Sequence, residues 1–203
     1  MPPERRGNVR RETKETQVTV EMNLDGSGRA DIDTGIGMLD HLLEQLPRHS
    51  LFDITVRASG DIERDPHHLV EDVGIGLGRA LSEALGERRG IVRMAHAIVP
   101  LDEALAVVAV DLSGRGHAAL ELPFTTERIG QLPTEMIAHH LAAFALEGRF
   151  NLHVRVPAGT NDHHKAEAVF KALARALGDA TRIDPRIAGE VPSTKGTLES
   201  AEP

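Results

Sequence analysis

The sequence contains no cysteine, tryptophan or tyrosine, and its only large aromatic residues are five phenylalanines. Without cysteine, the protein forms no disulfide, binds no metal through thiolates and uses no cysteine nucleophile. Hydrophobic residues nevertheless make up 40% of the chain. The core must therefore be built from Leu, Val, Ile and Ala.

Long apolar runs and an excess of positive charge are missing too. No stretch approaches the roughly 18 apolar residues of a membrane span. With 23 Lys and Arg against 31 Asp and Glu, the net charge of −8 creates no field that attracts nucleic acid. The basic opening (Arg5, Arg6, Arg10 and Arg11) lacks the apolar core of a signal peptide. We therefore expect an irregular, solvated terminus and a cytoplasmic protein.

The sequence contains one order of strand and helix periodicities, and this order occurs twice. The first half predicts strands at 17–24 and 29–33, a helix from Met38 that stops at Pro47, a strand at 52–58 and a leucine-striped helix at 69–85. The second half predicts strands at 104–112 and 117–122, a helix opened by Pro133, a strand at 150–156 and a helix ending at Gly178. This order indicates an α+β protein made of an internally duplicated half-domain, strand-strand-helix-strand-helix twice, with helices packed on sheets. We expect a single domain over 1–203, with repeats at about 10–90 and 91–184 and an aperiodic tail at 185–203 whose last residues are disordered.

The histidines follow the same repeat. His41 is followed 26 residues later by the pair His67-His68, and His139 is followed 24 residues later by the pair His163-His164. Each pair is followed by a glutamate, Glu71 or Glu167, four residues after the first histidine of the pair. One His-His-x-x-Glu motif per half, each preceded by a helical histidine, is a specific signal for metal binding. His49, His96, His117 and His153 lack such partners and are expected to have ordinary surface roles.

Helix geometry explains these residue types. Residues i and i+4 share a helix face, so His67 with Glu71, and His163 with Glu167, can each bind one ion. His68 and His164 point about 100° away around the helix and suit a different ion. The pattern predicts two metal ions related by a pseudo-twofold axis, each with three imidazoles and one carboxylate. Nitrogen and oxygen ligands without sulfur suit Mn, Fe, Co or Zn.

A metal pair alone does not name a reaction. A dimetal phosphoesterase is one alternative, although such sites usually have several bridging aspartates; a metal-storage protein is another. Three cations favour a phosphorylated substrate: Arg93, Arg115 after Ser113-Gly114, and Lys195 in Pro192-Ser193-Thr194-Lys195-Gly196, where small residues allow close backbone approach to an anion. A storage protein would leave them without a purpose.

Six motifs together resemble the imidazoleglycerol-phosphate dehydratase family, from about Arg10 to Leu198. They are Thr13-Lys14-Glu15-Thr16, Leu39-Asp40-His41, His67-His68-Leu69-Val70-Glu71-Asp72, Asp111-Leu112-Ser113-Gly114-Arg115, Asn161-Asp162-His163-His164 with Glu167, and Pro192-Ser193-Thr194-Lys195-Gly196. The resemblance implies a ribosomal protein S5 domain 2-like fold. It also implies dehydration of imidazoleglycerol phosphate to imidazoleacetol phosphate in histidine biosynthesis. The family assembles as a homo-oligomeric shell of twenty-four subunits with active sites at subunit interfaces, which we expect here.

The resemblance also implies roles for individual residues. One manganese ion would be held by His41, His68, His163 and Glu167, and the other by His67, Glu71, His139 and His164. The substrate, mainly its phosphate, would be bound by Glu15, Gln45, His49, Arg93, Arg115, Lys171, Ser193, Thr194 and Lys195. Glu15 is the first candidate for proton transfer and Asp102 the second.

The chain departs from the family pattern at a few positions. Met94 and Ala95 follow Arg93 in place of an aromatic residue and a glycine, Pro66 replaces an acid, and His140 stands where the family tends to have Phe. None of these residues is a predicted ligand.

Overall fold

The computed structural model describes residues 5–60, 62–187, 189–194 and 198. Its strands are β1 (Arg6–Glu12), β2 (Thr16–Asn23), β3 (Ala30–Asp33), β4 (Asp53–Gly60), β5 (Met94–Leu101), β6 (Ala104–Asp111), β7 (His117–Glu121), β8 (Arg128–Ile129), β9 (Leu132–Pro133) and β10 (Asn151–Ala158). Its α-helices are α1 (Gly37–Ser50), α2 (His67–Leu85), α3 (Thr134–Glu147) and α4 (Asp162–Thr181). None of the described helices is long and apolar enough to cross a membrane. The expectation of disorder at the end of the tail falls on residues 199–203, outside the described residues.

The eight long strands form two four-stranded sheets of the same design. The strand orders are β1-β2-β4-β3 and β5-β6-β10-β7. In each sheet three strands are antiparallel, and the fourth, β3 or β7, pairs in parallel with its neighbour. The structure confirms the α+β duplicated half-domain, with one addition: each half begins with a strand that periodicity did not predict.

The expectation of an irregular N-terminus was wrong. Residues 6–12 form β1, which pairs with β2 in a register that sets Val9 opposite Val20. The strand is charged because it is the edge of its sheet, where polar side chains face solvent. Gly7 is the exception: a Cβ there would lie 1.9 Å from the carbonyl oxygen of Ala80 on α2. β1 therefore lies directly against α2.

Two predicted helix ends were also wrong. α1 continues through Pro47 to Ser50, since a proline in the last turn removes only one backbone N–H and the helix ends when Leu51 turns left-handed. α4 continues past Gly178 to Thr181. A Cβ at Gly178 would approach Ser50 to 3.1 Å, so this glycine allows close helix contact and is not a cap. The predicted end of α2 before Gly86 is confirmed.

The helices pack in two pairs, each with one member from either half: α1 with α4, and α2 with α3. Glycines allow the second pair to approach closely. A Cβ at Gly74 would lie 2.8 Å from the carbonyl oxygen of His140, and one at Gly78 would lie 2.7 Å from that of Phe144. Beneath the helices, the inward residues of both sheets and the leucine stripes join one core. This cross-pairing brings histidines from different halves together.

Candidate metal centres

One cluster lies where the start of α2 meets α3. His67 and Glu71 stand one turn apart on α2, His139 comes from α3, and their ligand atoms lie within 4.8 Å of one another. His139 Nε2 is buried 3.2 Å from Glu71 Oε1, yet among the described residues it has no hydrogen-bond partner. A buried ring nitrogen beside a carboxylate and without a hydrogen bond suits a bound cation.

The second cluster lies where α1 meets the start of α4. Both His41 Nε2 and His163 Nε2 lie 3.2 Å from Glu167 Oε2. Burial alone would raise the pKa of Glu167, but hydrogen bonds from Lys171 and His41 lower it to about 2. Glu167 is therefore an anion at neutral pH, as a metal ligand must be.

These two triads contain six of the eight predicted ligands. Each triad holds three of the four residues assigned to one ion. The i, i+4 spacing supplies two members of each triad, and packing between halves supplies the third. The remaining two histidines, His68 and His164, belong to neither triad.

His68 and His164 face carboxylates of their own half. His68 Nδ1 lies 2.9 Å from Glu15 Oε2 in the β1–β2 turn. His164 Nδ1 lies 2.8 Å from Glu103 Oε2 in the corresponding β5–β6 turn. Each outlying histidine thus meets a glutamate through the same ring nitrogen, which leaves Nε2 for another partner.

The backbone of Glu15 is fixed from α2. The Thr13 hydroxyl accepts hydrogen bonds from the N–H groups of Glu15 (3.1 Å) and Thr16 (3.0 Å). The Thr16 hydroxyl donates in turn to Asp72, a buried carboxylate on α2 that also accepts from Arg11 Nε at 2.7 Å. The side chain of Glu15 remains 55% exposed. Asp102, the second acidic candidate, is exposed with its nearer oxygen 3.7 Å from His164 Nε2.

Several of the predicted substrate-binding residues surround the second triad. Lys171 Nζ lies 2.7 Å from Glu167 Oε1, and Gln45 Nε2 donates to the carbonyl oxygen of His41 at 3.0 Å. His49 lines a cleft of about 940 Å³ together with Arg175. Burial and the charges of Lys171 and Arg175 lower the pKa of His49. This end of the α1–α4 pair is cationic.

The remaining predicted phosphate ligands differ in how they are held. Arg93 donates from two nitrogens to Asp111, at 2.7 and 3.0 Å, and from a third to the carbonyl oxygen of Pro192 at 2.6 Å. It thereby fixes the segment that carries Ser193 and Thr194. Arg115 is exposed, and no carboxylate of the described ranges pairs with it. Lys195 lies outside the described residues.

Sequence reasoning missed three residues that support the ligands. One is Glu103, whose carboxylate contacts the ring of His164. The other two are a buried ion pair beside His163: Lys165 Nζ lies 2.7 Å from Asp162 Oδ1. Burial alone would raise the pKa of Asp162, but Lys165 and the N–H groups of Thr125 and Thr126 hold it below its usual range. The signal for Glu103 was its place in the turn equivalent to that of Glu15.

Known proteins resemble this chain over most of its length. The model of the family described as imidazoleglycerol-phosphate dehydratase matches residues 34–177. Imidazoleglycerol-phosphate dehydratase of Dehalococcoides mccartyi is 57% identical, covering 97% of this chain and 98% of its own. That of Chloroflexus aggregans is 58% identical, covering 98% and 97%.

Two solved structures of imidazoleglycerol-phosphate dehydratases are also similar to this chain. Imidazoleglycerol-phosphate dehydratase from Staphylococcus aureus superposes with a TM-score of 0.80 at 32% identity, covering 88% of this chain and 99% of its own. The Pyrococcus furiosus structure, in complex with (S)-C348, superposes with a TM-score of 0.78 at 34% identity, covering 93% and 99%.

Proposed function

The chain belongs to the imidazoleglycerol-phosphate dehydratase family, hydro-lyases that dehydrate imidazoleglycerol phosphate in histidine biosynthesis, and we propose that it does so with two manganese ions per active site. The observation that carries this proposal is the pair of His-His-Glu triads. We also propose that the enzyme acts in the cytoplasm, as its membership of a biosynthetic enzyme family leads us to expect.

The residues present fit such ions. Each triad offers two imidazole nitrogens and one carboxylate, a donor set without sulfur that suits manganese and related divalent metals. Nε2 of His139, which has no hydrogen-bond partner in the described part of the chain, and the ionised Glu167 are both available to bind a cation. When bound, the two ions would supply Lewis acidity toward the substrate imidazole and a template that orients it.

We assign the proton transfer to Glu15. Its carboxylate is exposed beside His68, while its backbone is held by Thr13 and, through Thr16, by Asp72. A side chain that is anchored at its base and exposed at its tip can take a proton from carbon and return one. Asp102 is the alternative, because it is similarly exposed beside His164.

We assign the phosphate to the cationic groups. Arg115 has its guanidinium free of carboxylates within the described part of the chain, so its charge is available to an anionic ligand. Lys171 and Arg175 extend the positive charge toward the second triad, and His49, whose pKa is lowered by burial and by these charges, offers a neutral imidazole beside them. Arg93, paired with Asp111, holds the segment of Ser193 and Thr194 in reach. Gln45 and Lys195 complete the proposed set. Binding the phosphate fixes the register of the reacting carbons.

We further propose that the fourth ligand of each ion comes from another copy of the chain. Each triad lacks one imidazole, and the two unused histidines, His68 and His164, lie on the turn-facing side of their helices. A homo-oligomer with active sites between subunits, the shell of twenty-four copies expected from the resemblance, would complete both sites.

The direct test is to incubate the manganese-loaded protein with imidazoleglycerol phosphate. We expect imidazoleacetol phosphate to appear without free phosphate, and activity to disappear with a chelator and return with manganese. Release of phosphate would indicate a phosphoesterase, and bound metal without turnover a storage protein. Recovery only with zinc, iron or cobalt would leave the reaction intact but reject manganese.

A further inference from the structure

Glu103 lies in a turn, and both oxygens of its carboxylate have hydrogen-bond partners. Its Oε1 accepts hydrogen bonds from the backbone N–H groups of Thr160 (3.0 Å) and Asn161 (2.7 Å), and from the Thr160 hydroxyl at 3.3 Å. Its Oε2 faces His164 Nδ1 at 2.8 Å. These contacts fix both oxygens, so the carboxylate has one orientation.

This orientation determines which nitrogen of His164 carries hydrogen. A glutamate is ionised at neutral pH, and Oε1 of Glu103 accepts from three donors, so the carboxylate acts only as an acceptor. His164 must therefore donate through Nδ1. In the neutral ring that metal binding requires, the lone pair is then on Nε2.

The backbone of His164 is fixed at the same place. Asn161 caps α4 with its side-chain oxygen, which accepts from the N–H groups of His163 (2.9 Å) and His164 (3.4 Å). Glu103 holds both the backbone of Asn161 and the ring of His164. The capping residue and the histidine ring are thus aligned by a single carboxylate.

We propose that Glu103 is a positioning residue that sets the tautomer of His164 and directs its Nε2 toward a metal ion. The inference rests on the proposed metal-dependent function. Metal-binding histidines commonly donate their other N–H to such a carboxylate, and loss of the carboxylate costs about 10- to 100-fold in metal affinity.

The test compares Glu103→Gln with Glu103→Ala. In Glu103→Gln, the two backbone N–H groups select the amide oxygen, because an NH2 group there would face two donors. The amide NH2 then faces His164 Nδ1 and donates to it, which forces the proton onto Nε2. In Glu103→Ala the ring is free to choose either tautomer, but the start of α4 loses its acceptor.

Manganese binding, followed by the electron paramagnetic resonance of free Mn(II), and thermal unfolding should therefore rank the variants oppositely. We expect Glu103→Gln to weaken one of two manganese sites by about 10- to 100-fold, more than Glu103→Ala does, while unfolding nearer the wild-type temperature. Glu121→Gln is the matched control, since it breaks an exposed pair with Arg155 in the same half. It should bind both ions normally.

Two results would overturn the proposal: wild-type affinity in Glu103→Gln, or losses of affinity that merely follow losses of stability in both variants. A variant-free check is neutron diffraction of the manganese-loaded wild type, where a deuteron on Nε2 of His164, or none on Nδ1, would also overturn it. If the wild type itself binds no metal, the proposed function fails, which this comparison distinguishes from failure of the role of Glu103.

Discussion

The two halves of the molecule share one arrangement of strands and helices, but they differ in how they hold the equivalent glutamates, Glu15 and Glu103. Glu103 is fixed at both oxygens by Thr160, Asn161 and His164. Glu15 contacts His68, and within the described ranges no backbone N–H donates to its carboxylate. One turn carries a carboxylate fixed by backbone donors, and the other carries an exposed carboxylate that contacts one imidazole.

The difference suggests a division of labour between the halves. A fixed carboxylate orients a ligand but cannot follow a moving proton, whereas a carboxylate anchored only through its backbone can. The two candidate metal triads have the same composition, but the turns beside them hold their glutamates differently. We infer that the second half is specialised for holding and the first for proton transfer.

A second contrast concerns charge. At the start of β4, Asp53 binds Arg29 through two side-chain contacts of 2.8 and 3.1 Å, and Arg29 holds the pKa of Asp53 well below its usual range. At the start of β10 the equivalent residue is the neutral Asn151, which donates to the carbonyl oxygen of Arg115 at 2.8 Å. In the register of the sheets, His117 stands opposite Asn151 where Arg29 stands in the first half, and Arg115 takes the position of Ser27. Arg29 is thus neutralised by Asp53, whereas no carboxylate of the described ranges pairs with Arg115.

The largest effect should come from removing a ligand in either half. We expect Glu71→Ala and Glu167→Ala, and likewise His67→Ala and His164→Ala, to abolish turnover and lower the bound metal measured by mass spectrometry. Each removes one donor from an ion, and both ions are needed at one substrate. Full activity with two bound ions in any of these variants would break the equivalence of the halves.

Glu15→Gln should have the next largest effect. It removes the proton acceptor, and although Glu15 contacts His68, no backbone N–H of the described ranges fixes the side-chain amide, so its oxygen can still accept from His68 Nδ1. Turnover should therefore fall by about 10²- to 10⁴-fold while metal content and KM stay close to wild type. Steady-state kinetics with metal analysis measures both. Glu103→Gln should show the reverse pattern, with loss of metal. Near-normal turnover in Glu15→Gln would move the proton transfer to Asp102.

Charge at position 151 should have a moderate effect. Asn151→Asp places a carboxylate beside Arg115, whose carbonyl oxygen Asn151 contacts, and the new charge can pair with the Arg115 guanidinium and compete with phosphate. We expect KM to rise about tenfold with kcat little changed, as for loss of one charge-assisted hydrogen bond. Asp53→Asn is the matched control and should leave KM unchanged. An unaltered KM in Asn151→Asp would mean that Arg115 does not bind the phosphate.

The smallest effect concerns His140, which occupies the position of Leu42 in the first half. His140 is buried, with Nδ1 3.1 Å from the carbonyl oxygen of Val70 and its ring stacked on Phe170. Burial, with a smaller contribution from His139, lowers its pKa from 6.5 to about 4. Below pH 6.5 this histidine therefore binds a proton in the unfolded chain, whereas in the folded protein it stays neutral until the pH approaches about 4. Stability from this residue is present above pH 6.5 and lost as pH falls toward about 4.

His140→Leu should remove this dependence. Between pH 7 and pH 5 the wild type should lose about 2 kcal/mol through this group, or about 4–8 °C in Tm, that the variant does not lose. Scanning calorimetry of chelator-treated protein at both pH values separates the effect from metal release. Parallel losses in the two proteins would assign the acid sensitivity elsewhere.

The helices were predictable from their hydrophobic periodicity. The candidate ligands on them were predictable from their spacing along a helix. The i, i+4 relation of His67 and Glu71 needs only a helix, and the repeated motif needs only a second copy of it. The leucine stripe of α2 is buried as its spacing indicates. Which helices meet was not encoded in this way, since contact between α2 and α3 depends on glycines such as Gly74 whose role appears only once the neighbour is in place.

The strands and turns were less legible. β1 alternates weakly because it is a charged edge strand, and β5 exposes Ile98 to solvent, so neither shows the usual strand signature. Glu103 sits in a turn, where no period fixes the direction of a side chain. Its function depends on backbone N–H groups of Thr160 and Asn161, which are 57 and 58 residues away. Such a contact follows from the three-dimensional fold and not from the spacing of residues along the sequence.

Anomalous diffraction from crystals of the manganese-loaded protein would locate the metal ions relative to both triads. We expect two manganese peaks per chain, one at His67, Glu71 and His139 and the other at His41, His163 and Glu167. His68 or His164 from a neighbouring copy should complete each site through Nε2. A single peak, peaks away from both triads, or two sites that leave His68 and His164 unbound would contradict the account.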